Sequence, residues 1–213
     1  MIFSAVLKRS IAFKPWHVHW LRDQIAQFYP DAQFRAYTDV PGLGIPLHKN
    51  LVNQWSKMEA YQSLPKQDVL MLDLDTVLLR PMDLPKPKPG RAICYFSPED
   101  REKPWGGWIL SSPEWRAAVV EHFWKNPEHY IGEAYGSDQR YFKKYHLDTL
   151  DPINVSHPGE LASYKRGGFY EGTPPSETAF VLFHGQPRPF DLDLSWIPKL
   201  EKINGSSFER ACG

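Results

Sequence analysis

The stretch VLMLDLDTVLLR, residues 69–80, decides how this chain is read. Val69 to Leu72 are apolar without a break, which suits a buried central strand better than the alternating pattern of a half-exposed one. Two carboxylates, Asp73 and Asp75, follow inside that apolar surround. In extended chain, residues two apart point to the same side, so the spacing predicts that both converge on one object near the carboxyl end of the strand. Two uncompensated carboxylates that close raise each other's pKa and oppose folding, and so call for a cation. A divalent metal with oxygen ligands is the natural partner, and the carboxyl ends of parallel strands are where open α/β sheets bind ligands. A bare D-x-D also occurs as a pair of caps and turn formers, and the motif alone does not separate the two readings.

The flanking segments supply a setting for that strand. IFSAVLK (2–8) is a short apolar run bounded by charge and reads as a first buried strand. Trp16, Trp20, Leu21, Ile25 and Phe28 recur at helical spacing up to Pro30, predicting an amphipathic helix that ends near Tyr29. QFRAYTD (33–39) is a second strand, PGLGIP (41–46) a loop, and a helix is expected from Asn53 to Leu64, stopped by Pro65. Strand and helix therefore alternate up to the acidic pair, the pattern of a parallel sheet with crossover helices.

Beyond Arg80 the texture changes. PMDLPKPKPGR (81–91) holds four prolines in eleven residues, so it must be an irregular or extended connection. AICYF (92–96) and GGWILS (106–111) read as further strands, and Pro113 opens a helix on which Trp115, Val119 and Phe123 share a face. Another helix is expected around SDQRYFKKY (137–145), with Ser137 as a possible cap. Residues 151–176, rich in Gly and Pro, carry no firm assignment. AFVLFHG (179–185) is one more buried strand, followed by a proline-rich turn and a weakly helical tail. The whole is expected to be a single α/β domain over residues 1–203, with a mixed, mostly parallel sheet flanked by helices, and a polar tail over 204–213.

Composition narrows the function. At 213 residues the chain is long enough for a sizeable core. Lys plus Arg and Asp plus Glu number 25 each, which gives no global electrostatic reason to expect a nucleic-acid partner. No run of roughly 18 uncharged apolar residues offers a membrane span. MIFSAVLKRS lacks the basic, apolar, small order of a secretory leader. Cys94 and Cys212 show no metal-type spacing and suit a reducing compartment, so the expected location is cytoplasmic.

A second signal lies in FVLFHGQPRPF (180–190). His184 ends an apolar strand, Gly185 lets backbone approach a ligand, and Arg188 stands between prolines that hold its loop extended. An imidazole joined to carboxylates favours manganese over magnesium, and a guanidinium beside them suits a phosphate that the metal also touches.

Taken in order, LDLDTVLLRPMDL, GGWILSS, GSDQRYF and FHGQPRPF resemble the nucleotide-sugar glycosyltransferases of the GT-A fold, in particular the group of glycogenin and the bacterial lipopolysaccharide galactosyltransferases. The resemblance spans about Ser4 to Phe190. It implies a Rossmann-like GT-A domain and a metal-dependent transfer of sugar from a nucleotide diphosphate sugar, with a uridine diphosphate sugar as the default donor and retention of anomeric configuration. It implies that Asp73, Asp75 and His184 hold Mn2+ or Mg2+, that Asp73 and Arg188 meet the donor, and that Lys57 lies near it. Asp138 and Gln139 match the family's Asp-Gln pair by the transferred sugar, with Asp138 the candidate catalytic carboxylate. The acceptor, a glycan, lipid or protein, is not specified. Where the family carries an Asn-containing stretch, this chain has Trp105-Gly106-Gly107-Trp108, which leaves Gly107 in the substrate-binding set without a side-chain amide; Gly185 completes that set.

Two other readings compete. The DLDTV motif also resembles haloacid-dehalogenase-type phosphatases, whose strand-end aspartate is a nucleophile. That family carries the motif near the chain start and a later acidic cluster, for which only Asp191 and Asp193 are available here. The other competitor is a GT-A-like binding or scaffold domain without turnover.

Overall fold

The computed structural model describes residues 1–9, 12–49, 51–134, 137–166 and 172–199. Its main sheet has seven strands in the order β3-β2-β1-β4-β7-β6-β8. The strands are β1 (Ile2–Leu7), β2 (Gln33–Thr38), β3 (Ile45–Pro46), β4 (Val69–Leu72), β6 (Ala92–Ser97), β7 (Asp100–Ser111) and β8 (Leu150–Pro152). Every neighbouring pair is parallel except the two that involve β7, which runs against β4 on one side and β6 on the other. β5 (Val77–Leu78), β9 (Leu161–Ser163) and β10 (Phe180–Leu182) form a second, three-stranded sheet in the order β5-β10-β9.

The period of two in β4 sorts the core. Leu70 and Leu72 face one apolar cluster with Val18, Leu21 and Ile25 of α1 (Pro15–Phe28) and with Leu161, Phe180 and Leu182 of the small sheet. Met71 faces the opposite cluster, with Met58 and Tyr61 of α2 (Ser56–Ser63), Trp115, Val119 and Phe123 of α3 (Pro113–Lys125), and Tyr141 and Phe142 of α5 (Asp138–Tyr145), against which Tyr130 and Ile131 of α4 (Pro127–Glu133) pack. Helices thus cover both faces of the sheet, as a fully apolar central strand requires. The starts of α1 and α3 follow from Pro15 and Pro113, whose missing N–H would be unpaired at that position anyway. The Ser112 side chain accepts from Trp115 N–H at the head of α3, whereas Ser137 stands at the cap position of α5 without making a capping bond.

Three expectations are corrected. β4 stops at Leu72, and Asp73 to Thr76 form a tight turn closed by Thr76 N–H on Asp73 C=O at 3.1 Å, so the acidic pair sits on a turn beyond the strand. Aspartate favours such turns because its side chain bonds local backbone. β7 begins six residues before GGWILS, and the stretch without a firm assignment contains the end of β8, a short helix α6 (Ile153–Ser156) and β9. After Arg188 there is a single 3₁₀ turn over Pro189–Asp191, and no helix follows among the described residues up to 199. Cys212 and the 204–213 tail lie outside the described residues. No helix among them is long and apolar enough to cross a membrane.

Near its start the proline-rich connection is held by Tyr29, the residue that follows α1. Tyr29 Oη donates to Met82 C=O at 3.1 Å and accepts from Met82 N–H at 2.9 Å, giving both backbone groups of that residue a partner where no strand can supply one.

Candidate active site

A cavity of about 510 Å³ opens at the carboxyl end of β1 and β4. Asp73 reaches it directly from β4, its N–H continuing the ladder to Gly107 C=O at 2.9 Å. β5 then leaves the turn and pairs antiparallel with β10, Val77 opposite Val181. That pairing sets the end of β10, and with it His184 to Arg188, beside Asp75. Lys57 comes from the first turn of α2 and Asp138 from the first residue of α5. Asp73, Asp75, Lys57, Asp138, Gln139, His184, Gly185 and Arg188 all line the cavity. The acidic pair, the lysine expected near the donor, the Asp-Gln pair and the closing motif are thus brought together from four separate segments.

Two cations of the protein itself stand against the acidic groups. Lys57 Nζ lies 2.7 Å from Asp73 Oδ1 and 3.2 Å from Asp138 Oδ2, and donates to Gly106 C=O at 2.7 Å. Its side chain is 6% exposed. Burial alone would lower its pKa, but Asp138 and then Asp73 outweigh that, so the group is held up and charged. Arg188 Nη1 lies 2.5 Å from Asp75 Oδ2, with side chains 17% and 5% exposed. Its guanidinium stands 4.2 Å from the ring centre of Phe13, and its N–H is held by Asp191 Oδ2 at 2.9 Å. Burial, then the charge of Asp73, pushes Asp75 up to about 7 against the opposing pull of Arg188. Burial likewise raises Asp138, with Lys57 opposing.

The bare strand behind these groups is a requirement of the geometry. Between Cys94 opposite Ile109 and Tyr95 opposite Trp105, β7 slips against β6, so Gly106 to Trp108 bulge out of that pairing. A Cβ on Gly106 would sit 2.7 Å from Asp138 Oδ2, and one on Gly107 would sit 2.6 Å from Asp73 Oδ2. The space that a side-chain amide would fill is taken by the two carboxylates. Gly107 is not among the residues that line the cavity; it backs Asp73.

His184 stacks on Trp105, ring centres 3.6 Å apart and planes at 18°. Burial holds its pKa down to about 4, with Asp73 drawing it up, so the imidazole is neutral at neutral pH. Its Nε2 is buried without a hydrogen-bond partner in the protein. Among the described residues no three His, Cys, Asp or Glu side chains are already gathered as a metal cluster. The residues present nonetheless fit a divalent cation by their chemistry. They offer two carboxylates and an orphaned neutral imidazole nitrogen.

Val6, Lys8, Ala12, Phe13, Asn53, Gln54, Leu74, Trp105, Ser137 and Phe183 also line the cavity and were not singled out by motif. Most lie on loops and strand ends that carry no spacing signal. Asn53, at φ 47°, carries a trace of one, because Asn tolerates that left-handed conformation. Asp191 and Asp193, the acidic residues that a phosphatase reading needs, do not line the cavity.

A mixed sheet in which one reversed strand lies among parallel ones, with the cavity at the tip of β4, defines the class: this is the GT-A fold. Among solved structures it is shared by the galactosyltransferase LgtC in complex with donor and acceptor sugar analogues, at a TM-score of 0.61 and 10% identity over 100% of this chain and 95% of that one. An active-site mutant of LgtC matches at 0.58 and 10%, over 99% and 95%. The apo form of the glycosyltransferase GlyE of Streptococcus pneumoniae TIGR4 matches at 0.54 and 11%, over 99% of this chain and 59% of that one. No family model and no curated protein sequence matches the chain.

Proposed function

We propose that this chain is a metal-dependent glycosyltransferase that moves a sugar from a nucleoside diphosphate sugar, by default a uridine diphosphate sugar, to a glycan, lipid or protein acceptor with retention of configuration. The observation that carries the reading is the convergence of Asp73, Asp75, His184 and Arg188 in one cavity at the tip of β4. The shared fold with LgtC, itself solved with donor and acceptor sugar analogues, supports it.

Asp73, Asp75 and His184 would hold Mn2+ or Mg2+. When bound, such an ion supplies positive charge to the departing diphosphate. Arg188 offers that diphosphate a planar fork able to take two phosphate oxygens at once. Lys57 is a positioning residue rather than a donor contact, since an ammonium has three N–H groups and three partners surround this one. It fixes Asp73 toward the diphosphate and Asp138 toward the sugar. A carboxylate held there by a buried cation needs no rearrangement to stabilise the positive charge that builds on the sugar ring as the bond breaks. Gln139, half-buried beside Asp138 and lining the cavity, would bond sugar hydroxyls.

Incubation with Mn2+ and a panel of nucleotide sugars tests the proposal. Slow release of nucleoside diphosphate from one donor, lost on chelation, is the expected result. Binding of donor without any turnover would identify a scaffold instead, and release of phosphate from simple monoesters a phosphatase.

A further inference from the structure

We propose that Arg188 is a counter-cation seated where a metal ion would enter, so that the ion binds Asp75 only by displacing a guanidinium that a diphosphate must draw away. The inference rests on the metal-dependent reading above and assigns Arg188 a positioning role in metal entry besides phosphate contact.

Arg188 Nη1 and Asp75 Oδ2, 2.5 Å apart, form a pair almost closed to water. A divalent ion arriving alone at Asp75 meets the like charge of the guanidinium at close range, where little solvent screens it. Separating the pair without a replacement strands a buried charge. A diphosphate changes the balance, because it accepts the guanidinium fork and leaves Asp75 to the ion. The loop is built for such an exchange. Arg188 is anchored through its backbone, by N–H to Asp191 Oδ2, and lies between Pro187 and Pro189, so its side chain can turn while the chain stays in place. Its Nε is buried and lacks a partner, a donor left unsatisfied by the present arrangement. Phe13 supplies a face on which the guanidinium rests, 4.2 Å from the ring centre.

Calorimetric titration of Mn2+ into the full chain, with and without uridine diphosphate, tests this through three variants. Any metal bridging a diphosphate couples the two ligands, so the decisive reading is Mn2+ alone. Arg188→Gln removes the charge and is expected to bind Mn2+ alone at least fivefold more tightly than the wild type, while its affinity for uridine diphosphate falls. Arg188→Lys keeps the charge and is expected to match the wild type for Mn2+ alone. Arg188→Met carries the same test should Arg188→Gln fail to fold. Equal Mn2+ affinity in wild type and the neutral variants overturns this inference and leaves the metal-dependent reading standing. Absence of Mn2+ binding in every protein, even with uridine diphosphate present, overturns both.

Discussion

Lys57 shows how a residue's role depends on groups far from it in sequence. Its helix position marks it as a lysine at the head of α2, but nothing in the spacing of residues 57, 73 and 138 tells that one ammonium stands between two carboxylates. Removing it leaves Asp73 and Asp138 facing each other with their cation gone. Breaking a buried pair from one side costs about 3–5 kcal/mol. Lys57→Met is therefore expected to lower unfolding free energy by roughly that amount, which for a domain of this size corresponds to a melting temperature lower by about 6–20 °C. Thermal and denaturant unfolding check it, and an unchanged midpoint would show that solvent, not Lys57, neutralises the pair. The acidic couple and the His-Gly-x-x-Arg run were legible in sequence because residue types that resist burial stood out against apolar strands. The cations that face them were legible only as candidates, since their partners lie across the sheet.

At the scale of elements, legibility follows local patterning. β4, β1 and α3 carried a clean period or an unbroken apolar run and are found where that pattern puts them. The first half of β7 did not, because DREKPW mixes charge with a proline. That half extends beyond the end of β4 and pairs only with β6, so Pro104 leaves no ladder bond unmade. Helix α5 is followed at its C-cap by a histidine, His146, whose surroundings give a measurable signature. His146 is 8% exposed among Trp115, Tyr141 and His122, and burial holds it down to about 4 from an ordinary value near 6.5. The fold keeps it neutral while the unfolded chain protonates it, so the unfolded state binds more protons between those values. Its stabilising contribution is complete above about pH 6.5 and is lost as pH falls toward 4, on the order of 3 kcal/mol in all. His146→Gln is expected to flatten the loss of stability across that window, leaving the share of other buried histidines such as His17, which burial also holds down to about 4. Urea unfolding at pH 7.5, 6, 5 and 4.5 measures the slope, and an equally steep decline in the variant would remove His146 from the account.

The whole molecule keeps the GT-A arrangement at about one residue in ten shared with LgtC. What persists at that distance is the order of layers, set by burial and by strand direction and not by particular side chains. A ligand held between the turn after β4 and the segment that follows β10 should tie the two sheets together. At about one hundred times its dissociation constant, uridine diphosphate with Mn2+ is expected to add about 2.7 kcal/mol of stability, or about 5–11 °C in melting temperature. Either component by itself is expected to do less; a scan with each, then both, decides it. The small sheet is the part that sequence left least visible, because β5 and β9 are two and three residues long, yet it delivers His184 to the turn of Asp75. One of its links to the main sheet is the proline-rich connection from β5 to β6, which Tyr29 clasps at Met82. One phenol thus stands in for an absent strand, so the Met82 amide should exchange its hydrogen with solvent slowly although no ladder protects it, and Tyr29→Phe would set that amide free while the strands on either side kept theirs.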